Sequence, residues 1–233
     1  MRSDLSPTEK LGLGVLCKVP RAGYSKTRIG AVLGHETAAA LAGAFLRDIV
    51  ITVNRVAESG MVDPVAFYRP SGGKGDIERF VGTEMALEEQ FPGDLGPMMA
   101  AAMVSLLERH PKGGILIGSD LPTLPAEVIA AAAGHLLRPG RRVVFGPARD
   151  GGFYLVGVNT PAWGELFAPL EWSTPGVLRA MKDRATAAGL EICEVATWRD
   201  VDTVDDLDRL SVELDQTAGV IATHTRALLK SLL

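Results

Sequence analysis

Six short apolar runs, most of them followed by a stretch with helical spacing, set the pattern of this chain. The runs are Leu11–Cys17, Val65–Tyr68, Gly114–Ile117, Arg142–Phe145, Phe153–Val158 and Glu191–Val195. Each is short and rich in branched or aromatic residues, which reads as a buried strand rather than a helix. Between them lie amphipathic stretches. The longest runs from about Glu36 to Glu58, with Leu41, Phe45 and Ile49 on one face. A second covers Asp94–Arg109, and a third is opened by Thr123, Pro125 and Glu127. Thr174 and Pro175 open another, and Thr203, with Asp206 three residues on, caps the next. Asp215–Leu233 is expected to be an added amphipathic helix. Arg69–Gly75 is expected to be a turn, within which Ser71–Gly75 resembles a phosphate loop only superficially.

Strands alternating with helices predict a single α/β domain over residues 1–233. Its sheet should be mixed, mainly parallel and Rossmann-like, with helices on both faces. Composition agrees: 233 residues, 47% hydrophobic and 22% charged, can bury a full core without disulfides. The net charge of −4 supplies no global field for nucleic acid or for a membrane surface. No apolar run approaches membrane-spanning length and the first residues lack a leader-like apolar core, so the expected compartment is the cytoplasm. Cys17 and Cys193 sit in apolar runs and read as small buried hydrophobes. The four histidines show no ligand spacing.

The candidate chemistry lies just beyond the strand ends, where open α/β sheets bind their ligands. After the first strand comes KVPRAGYSKTRIG, residues 18–30. It carries Lys18, Arg21, Lys26 and Arg28 with no acid, and with Gly23 and Thr27 as turn and hydroxyl donor. Such a loop can wrap phosphate oxygens; its bland alternative is a solvated surface loop. It lacks the Walker pattern, and Gly12-Leu13-Gly14 lies inside a strand, so neither standard phosphate fingerprint is present. Three acidic stations come after later strands: Asp120 in Gly-Ser-Asp-Leu-Pro-Thr, Asp150 before Gly151 and Gly152, and Asp200 with Asp202. Two carboxylates meeting at one sheet edge would suit Mg²⁺, which takes one or two carboxylates plus phosphate oxygens. Taken singly, each station is also an ordinary turn or helix start.

Six segments in order, KVPRAGYSKTRIG, FPGDLGPMMAAAM, GSDLPTLP, GPARDGGFYLVGV, LFAPLEWSTPGVL and WRDVDTVDDL, resemble the bacterial family DUF2064 of the nucleotide-diphospho-sugar transferase (GT-A) superfamily. The resemblance spans about Leu11 to Leu210. More distantly, the arrangement is similar to molybdenum-cofactor and phospholactate nucleotidyltransferases. It implies a transferase in which Lys18, Arg21, Gly23, Lys26, Thr27, Arg28 and Ser119 hold the nucleotide. Asp120 and Asp202 would hold Mg²⁺ or Mn²⁺, and Asp120, Lys26 and Arg28 would serve catalysis. Asp150, Gly151, Gly152, Trp172, Ser173 and Thr174 would face the sugar or a small-molecule acceptor. Two departures stand out: Ser25 replaces a small apolar residue, and Gly-Ser-Asp has one acid where many glycosyltransferases carry Asp-x-Asp. Glycosyl transfer is the leading expectation, with nucleotidyl transfer from a triphosphate and a non-catalytic nucleotide-binding module as alternatives. A homodimer is left open.

Overall fold

A computed structural model describes residues 9–83, 85–167, 170–172, 174–217 and 221–232. Among these, one seven-stranded sheet has the order β3-β2-β1-β4-β6-β5-β7. Its strands are β1 (Leu11–Lys18), β2 (Val62–Arg69), β3 (Ala86–Glu89), β4 (Gly114–Gly118), β5 (Arg142–Pro147), β6 (Phe153–Val158) and β7 (Glu191–Glu194). Only β6 runs against its neighbours, pairing antiparallel with β4 and β5. The mixed, mainly parallel sheet is therefore as expected. The helices are α1 (Thr27–Leu33), α2 (His35–Ala57), α3 (Lys74–Val81), α4 (Leu95–Arg109), α5 (Ala126–Leu136), α6 (Val177–Ala187), α7 (Val204–Gln216) and α8 (Thr223–Leu232).

Two apolar layers sandwich the sheet. Leu13, Val15 and Cys17 of β1 pack with Ile49 and Val53 of α2 and Ile129 and Ala133 of α5. The opposite face joins Phe67 and Leu116 to Met99, Met103 and Leu106 of α4 and to Met181 of α6. β1 lies inside the sheet between β2 and β4, and its alternation explains its glycines. A Cβ on Gly12 would stand 2.8 Å from Leu106, and one on Gly14 would stand 2.6 Å from Leu116. Gly12 thus lets α4 lie close on the sheet, and Gly14 makes room for Leu116 and Phe67 of the two neighbouring strands.

Two expected boundaries shift. The stretch over residues 69–75 ends in a helix start rather than a free turn, because Gly73 and the residues after it enter α3. The terminal helix expected over residues 215–233 begins only at Thr223, since α7 runs through Gln216. A third cluster holds these ends in place: Ile29, Leu41 and Phe45 pack against Leu207, Leu210 and Leu214 of α7. α8 is fixed at its first turn by Asp48, a buried acid in the middle of α2. Its Oδ1 accepts from the His224 N–H at 3.0 Å, and its Oδ2 accepts from the Thr225 N–H at 2.9 Å and the Thr225 hydroxyl at 2.6 Å. A carboxylate at a helix N-terminus satisfies open N–H groups and opposes the helix dipole. No described helix is long and apolar enough to cross a membrane.

Candidate active site

The strand directions decide where the three acidic stations meet. β1 and β4 are parallel, with Leu16 opposite Gly118, so their carboxyl ends share one edge. β6 enters from that edge, with Leu155 opposite Ile117, and the turn joining β5 to β6 lies there as well. Ala148 in that turn pairs with Trp198, and the Trp198 N–H donates to the Pro147 carbonyl at 3.0 Å. The chain then crosses to β4, where the Val201 N–H donates to the Asp120 carbonyl at 3.1 Å. That backbone bond ties Asp120 to the segment carrying Asp200 and Asp202. The capping box expected at Thr203 and Asp206 is present and sets the far end of this segment.

Lys26 joins the two acids. Its Nζ lies 2.7 Å from Asp120 Oδ2 and 2.7 Å from Asp202 Oδ1. The lysine side chain is 4% exposed, whereas those of Asp120 and Asp202 are 39% and 43% exposed. Burial alone would lower the pKa of this ammonium, but the two carboxylates outweigh it and hold the value above the ordinary one. Lys26 also caps α1 in the left-handed region, at φ 49° and ψ 47°, a conformation that costs a non-glycine residue about 1 kcal/mol. Strain of this kind collects where a side chain must be held in one direction.

The rest of the basic loop divides. The buried Ser25 hydroxyl donates to the Val19 carbonyl at 3.0 Å and accepts from the Arg21 N–H at 3.3 Å. A polar residue here thus closes the loop on itself, which accounts for the first departure from the family pattern. Arg21 reaches away to Asp76 at 2.5 Å, at the start of α3. Gly23 turns with φ 73°. Arg28 is 75% exposed and 4.0 Å from Asp202 Oδ2. Thr27 opens α1 on the surface. Burial, and the charge of Arg69 beside it, lower the Lys18 pKa, with Asp120 opposing; its ammonium stands 5.8 Å from the Tyr24 ring centroid. Ser119 makes a long contact, 3.5 Å, to Asp120 Oδ1. Burial, and secondarily Asp120, push the Cys17 thiol up to about 12, so it is an inert core residue.

The expected acceptor residues bond mainly within their own loops. Asp150 Oδ1 accepts from the Gly152 N–H at 2.9 Å, a local turn bond. Gly151 has φ 90°, and a Cβ there would come within 2.2 Å of the Pro175 carbonyl. Its close approach is thus to its own chain rather than to a ligand. The Trp172 indole lies over Gly96, where a Cβ would meet its Nε1 at 2.3 Å, and stacks on Phe167 with centroids 6.5 Å apart. The Thr174 hydroxyl donates to the Glu171 carbonyl at 3.0 Å. Ser173 lies outside the described residues.

Asp200, in sequence no more than a neighbour of Asp202, is the acid most altered by the fold. Burial first, then the charges of Asp202 and Asp150, push its pKa up to about 6 against the pull of Lys26. A doubled Asp-x-Asp after a strand is the only trace of this in the sequence.

A family profile described as an uncharacterized protein conserved in bacteria, DUF2064, matches residues 52–174. The chain belongs to this family. The matched stretch contains Asp120 and the turn at Asp150, while the basic loop and Asp202 fall outside it. No curated protein matches the sequence. Among solved structures, this chain is similar to a candidate nucleotide-diphospho-sugar transferase from Desulfovibrio desulfuricans, 28% identical, with 94% of each chain covered and a TM-score of 0.84. The 4-diphosphocytidyl-2C-methyl-D-erythritol synthase of Anaerococcus prevotii is 11% identical. It covers 89% of this chain and all (100%) of its own, with a TM-score of 0.60. A cytidylyltransferase from Leptospira borgpetersenii is 12% identical over 95% of this chain and 94% of its own, with a TM-score of 0.59. At such identities these last two share the fold with this DUF2064 chain.

Proposed function

We propose that this DUF2064 protein is a divalent-metal-dependent transferase acting on a nucleotide-diphospho-sugar, with the nucleotide laid across the carboxyl ends of β1 and β4. The observation carrying this reading is the convergence of Asp120 and Asp202 on a single cation. Two half-exposed carboxylates within hydrogen-bond reach of one ammonium form a pair that a hard divalent cation also suits. Among the described residues no group of three or more His, Cys, Asp or Glu is placed to hold a metal. Phosphate oxygens and water would therefore complete the coordination, so that metal and nucleotide bind together.

In this reading Asp120 and Asp202 hold Mg²⁺ or Mn²⁺, which would offset charge on the leaving phosphate. Lys18 and Arg28 bind phosphate oxygens, with Ser119 and Thr27 as further donors. Lys26 keeps the two acids paired while no metal is present and offers its ammonium to the phosphates once they arrive. Asp200, its pKa raised by burial to about 6, would serve as the base that takes the proton from an acceptor hydroxyl. Asp150, Trp172 and Thr174 border the acceptor side. Arg21 is already committed to Asp76, which leaves loop charge suited to a diphosphate.

Nucleotidyl transfer is the second reading, favoured by the basic loop: Arg21, released from Asp76, would add the positive charge that a triphosphate needs over a diphosphate. Thermal melting with nucleoside triphosphates and nucleotide-sugars, each with Mg²⁺ and with EDTA, tests the proposal. Metal-dependent stabilisation by one of them is expected. Product analysis then separates the readings, since glycosyl transfer releases nucleoside diphosphate and nucleotidyl transfer releases pyrophosphate. Nucleotide binding that ignores the metal would leave only a binding module.

A further inference from the structure

The glycine-rich turn after β2 looks like a phosphate loop in sequence, yet two of its polar groups are taken by Glu89, the last residue of β3. Glu89 Oε1 accepts from the Gly72 N–H at 3.0 Å and from the Tyr68 hydroxyl at 3.1 Å. Oε2 accepts from the Ser71 hydroxyl at 2.5 Å. These donors, the Ser71 hydroxyl first, hold the Glu89 carboxyl below the usual carboxylate range. Glu89 is exposed, so water would serve the same lone pairs and burial does not compel these bonds. What they fix is the turn itself. Gly72 sits at φ 77°, and the Gly73 N–H donates to the Pro70 carbonyl at 3.1 Å.

The basic loop rests on this turn. The Val19 N–H donates to the Arg69 carbonyl at 2.8 Å, one step beyond the last β1–β2 pair. A Cβ on Gly73 would stand 2.7 Å from Val19 Cγ2 and 3.9 Å from an Arg21 guanidinium nitrogen. Arg21 is tied in turn to Asp76 of α3. Val19 is fully buried, and its carbonyl takes the Ser25 hydroxyl that closes the loop just before Lys26. Contacts thus run from Glu89 through the turn to Gly73, then Val19, Ser25 and Lys26. A cation serves a phosphate only from bonding distance, so the seat of the loop decides what its charges are worth.

We propose that Glu89 is a positioning residue for the basic loop, locking the turn between β2 and α3 so that it seats Val19 and Arg21. The inference rests on the phosphate-binding part of the reading above. It gives the glycine-rich turn a role: the turn is the seat of the phosphate-binding loop and not a second one. Charge gives the test its sign. Glu89 is an acid on the sheet edge proposed to bind anions, so removing it raises anion affinity if the long-range field alone matters. Glu89→Ala and Glu89→Gln remove the same charge. Gln, however, can keep all three bonds, its oxygen accepting from Tyr68 and Gly72 and its amide donating to a reversed Ser71 hydroxyl.

Calorimetry on the whole chain with tripolyphosphate and Mg²⁺, beside amide exchange, separates the two effects. Glu89→Ala should lose about tenfold in affinity, the scale of one charge-assisted hydrogen bond drawn out of reach, while Glu89→Gln binds like the wild type. Exchange at Tyr24 and Ser25, whose N–H groups donate to the Arg21 carbonyl, should quicken in Glu89→Ala while Leu13 and Val15 of β1 hold. Gly73→Ala disturbs the seat from its other end, at a φ of −82° that any residue adopts, and should show the same loss. Glu89→Ala and Gly73→Ala that bind as well as the wild type, or equal gains in both Glu89 variants, overturn the positioning role. So does exchange that quickens throughout β1, which would mean a general loss of structure. A wild type that binds neither tripolyphosphate nor a nucleoside triphosphate sinks the nucleotide reading, and this role with it.

Discussion

Two sets of carboxylates in this protein bridge the same chain distance and do opposite things. Asp48 reaches His224 and Lys26 reaches Asp202, each across 176 residues. Asp48 is buried, and its two oxygens accept three hydrogen bonds from the first turn of α8. Nothing about it is left to offer a ligand. Asp120 and Asp202 are each about two-fifths exposed and share one partner, the buried Lys26 ammonium. The fold thus uses one acid as a helix cap and leaves two others half-exposed on a shared lysine. Saturation distinguishes a structural acid from a candidate ligand; burial of the site as a whole does not.

The largest effect should come from Asp120→Asn. Loss of an outer-shell partner already costs about 10–100-fold in metal affinity, so losing a direct ligand should cost more than about 100-fold in metal-coupled nucleotide binding. Because Lys26 sits between the acids, neutralising Asp120 removes an attraction, and the apo protein should lose on the order of 1 kcal/mol. Calorimetry with and without EDTA, beside urea unfolding, checks both. Nucleotide binding that keeps its metal dependence in this variant would make Asp120 a turn residue.

Asp48→Ala should do the reverse. Three donors lose their acceptor, and we expect a loss of about 3 kcal/mol in urea unfolding with loosened amide exchange in α8. Metal-coupled binding should hold wherever the protein stays folded. A stable Asp48→Ala protein with weakened nucleotide binding would erase the contrast between the two sets.

The uneven legibility of these sites has a physical cause. Asp120, Asp150 and Asp202 come after strands, and parallel strands deliver the residues beyond their carboxyl ends to one edge, so their meeting is readable from alternation alone. Asp48 is not, because an acid inside the apolar run of α2 looks like a helix surface position until α8 folds onto it. β3 escapes detection for a related reason: Ala-Leu-Glu-Glu is an edge strand without apolar alternation, and its pairing with β2 is what makes it a strand. With β3 unseen, Glu89 has no place at the sheet edge. The basic loop points Lys26 at phosphates, and only the fold shows it holding both acids.

Asp200 sharpens the comparison with pH. Its folded pKa of about 6 lies above the ordinary 3.8, so between these values the folded chain keeps a proton that the unfolded chain has lost. Stability should therefore fall as pH rises from about 4 to 6, with the full penalty above 6 and none below 4. Asp200→Asn should gain about 1–2 kcal/mol at pH 7.5, after allowance for partial exposure, and nothing at pH 3.5. Urea unfolding of the metal-free protein at both pH values reads this directly. A gain of equal size at pH 3.5 would point to packing in place of charge.

The smallest effects divide the basic loop itself. Arg28 is largely exposed and 4.0 Å from Asp202, so it gives the fold little and the phosphates much. Arg28→Ala should weaken nucleotide binding about tenfold, the scale of one charge-assisted hydrogen bond reduced by solvent, with unfolding unchanged. Arg21 must first leave Asp76, an exposed pair that adds little to stability, before it can serve a ligand. Arg21→Ala should therefore cost less than Arg28→Ala in binding and slightly more in stability, both measured on the same preparations. If the order reverses in binding, the phosphates lie toward α3. Asp202 would then be too far from them to share a cation, and the acids gathered on Lys26 would be a structural knot of the kind Asp48 already is.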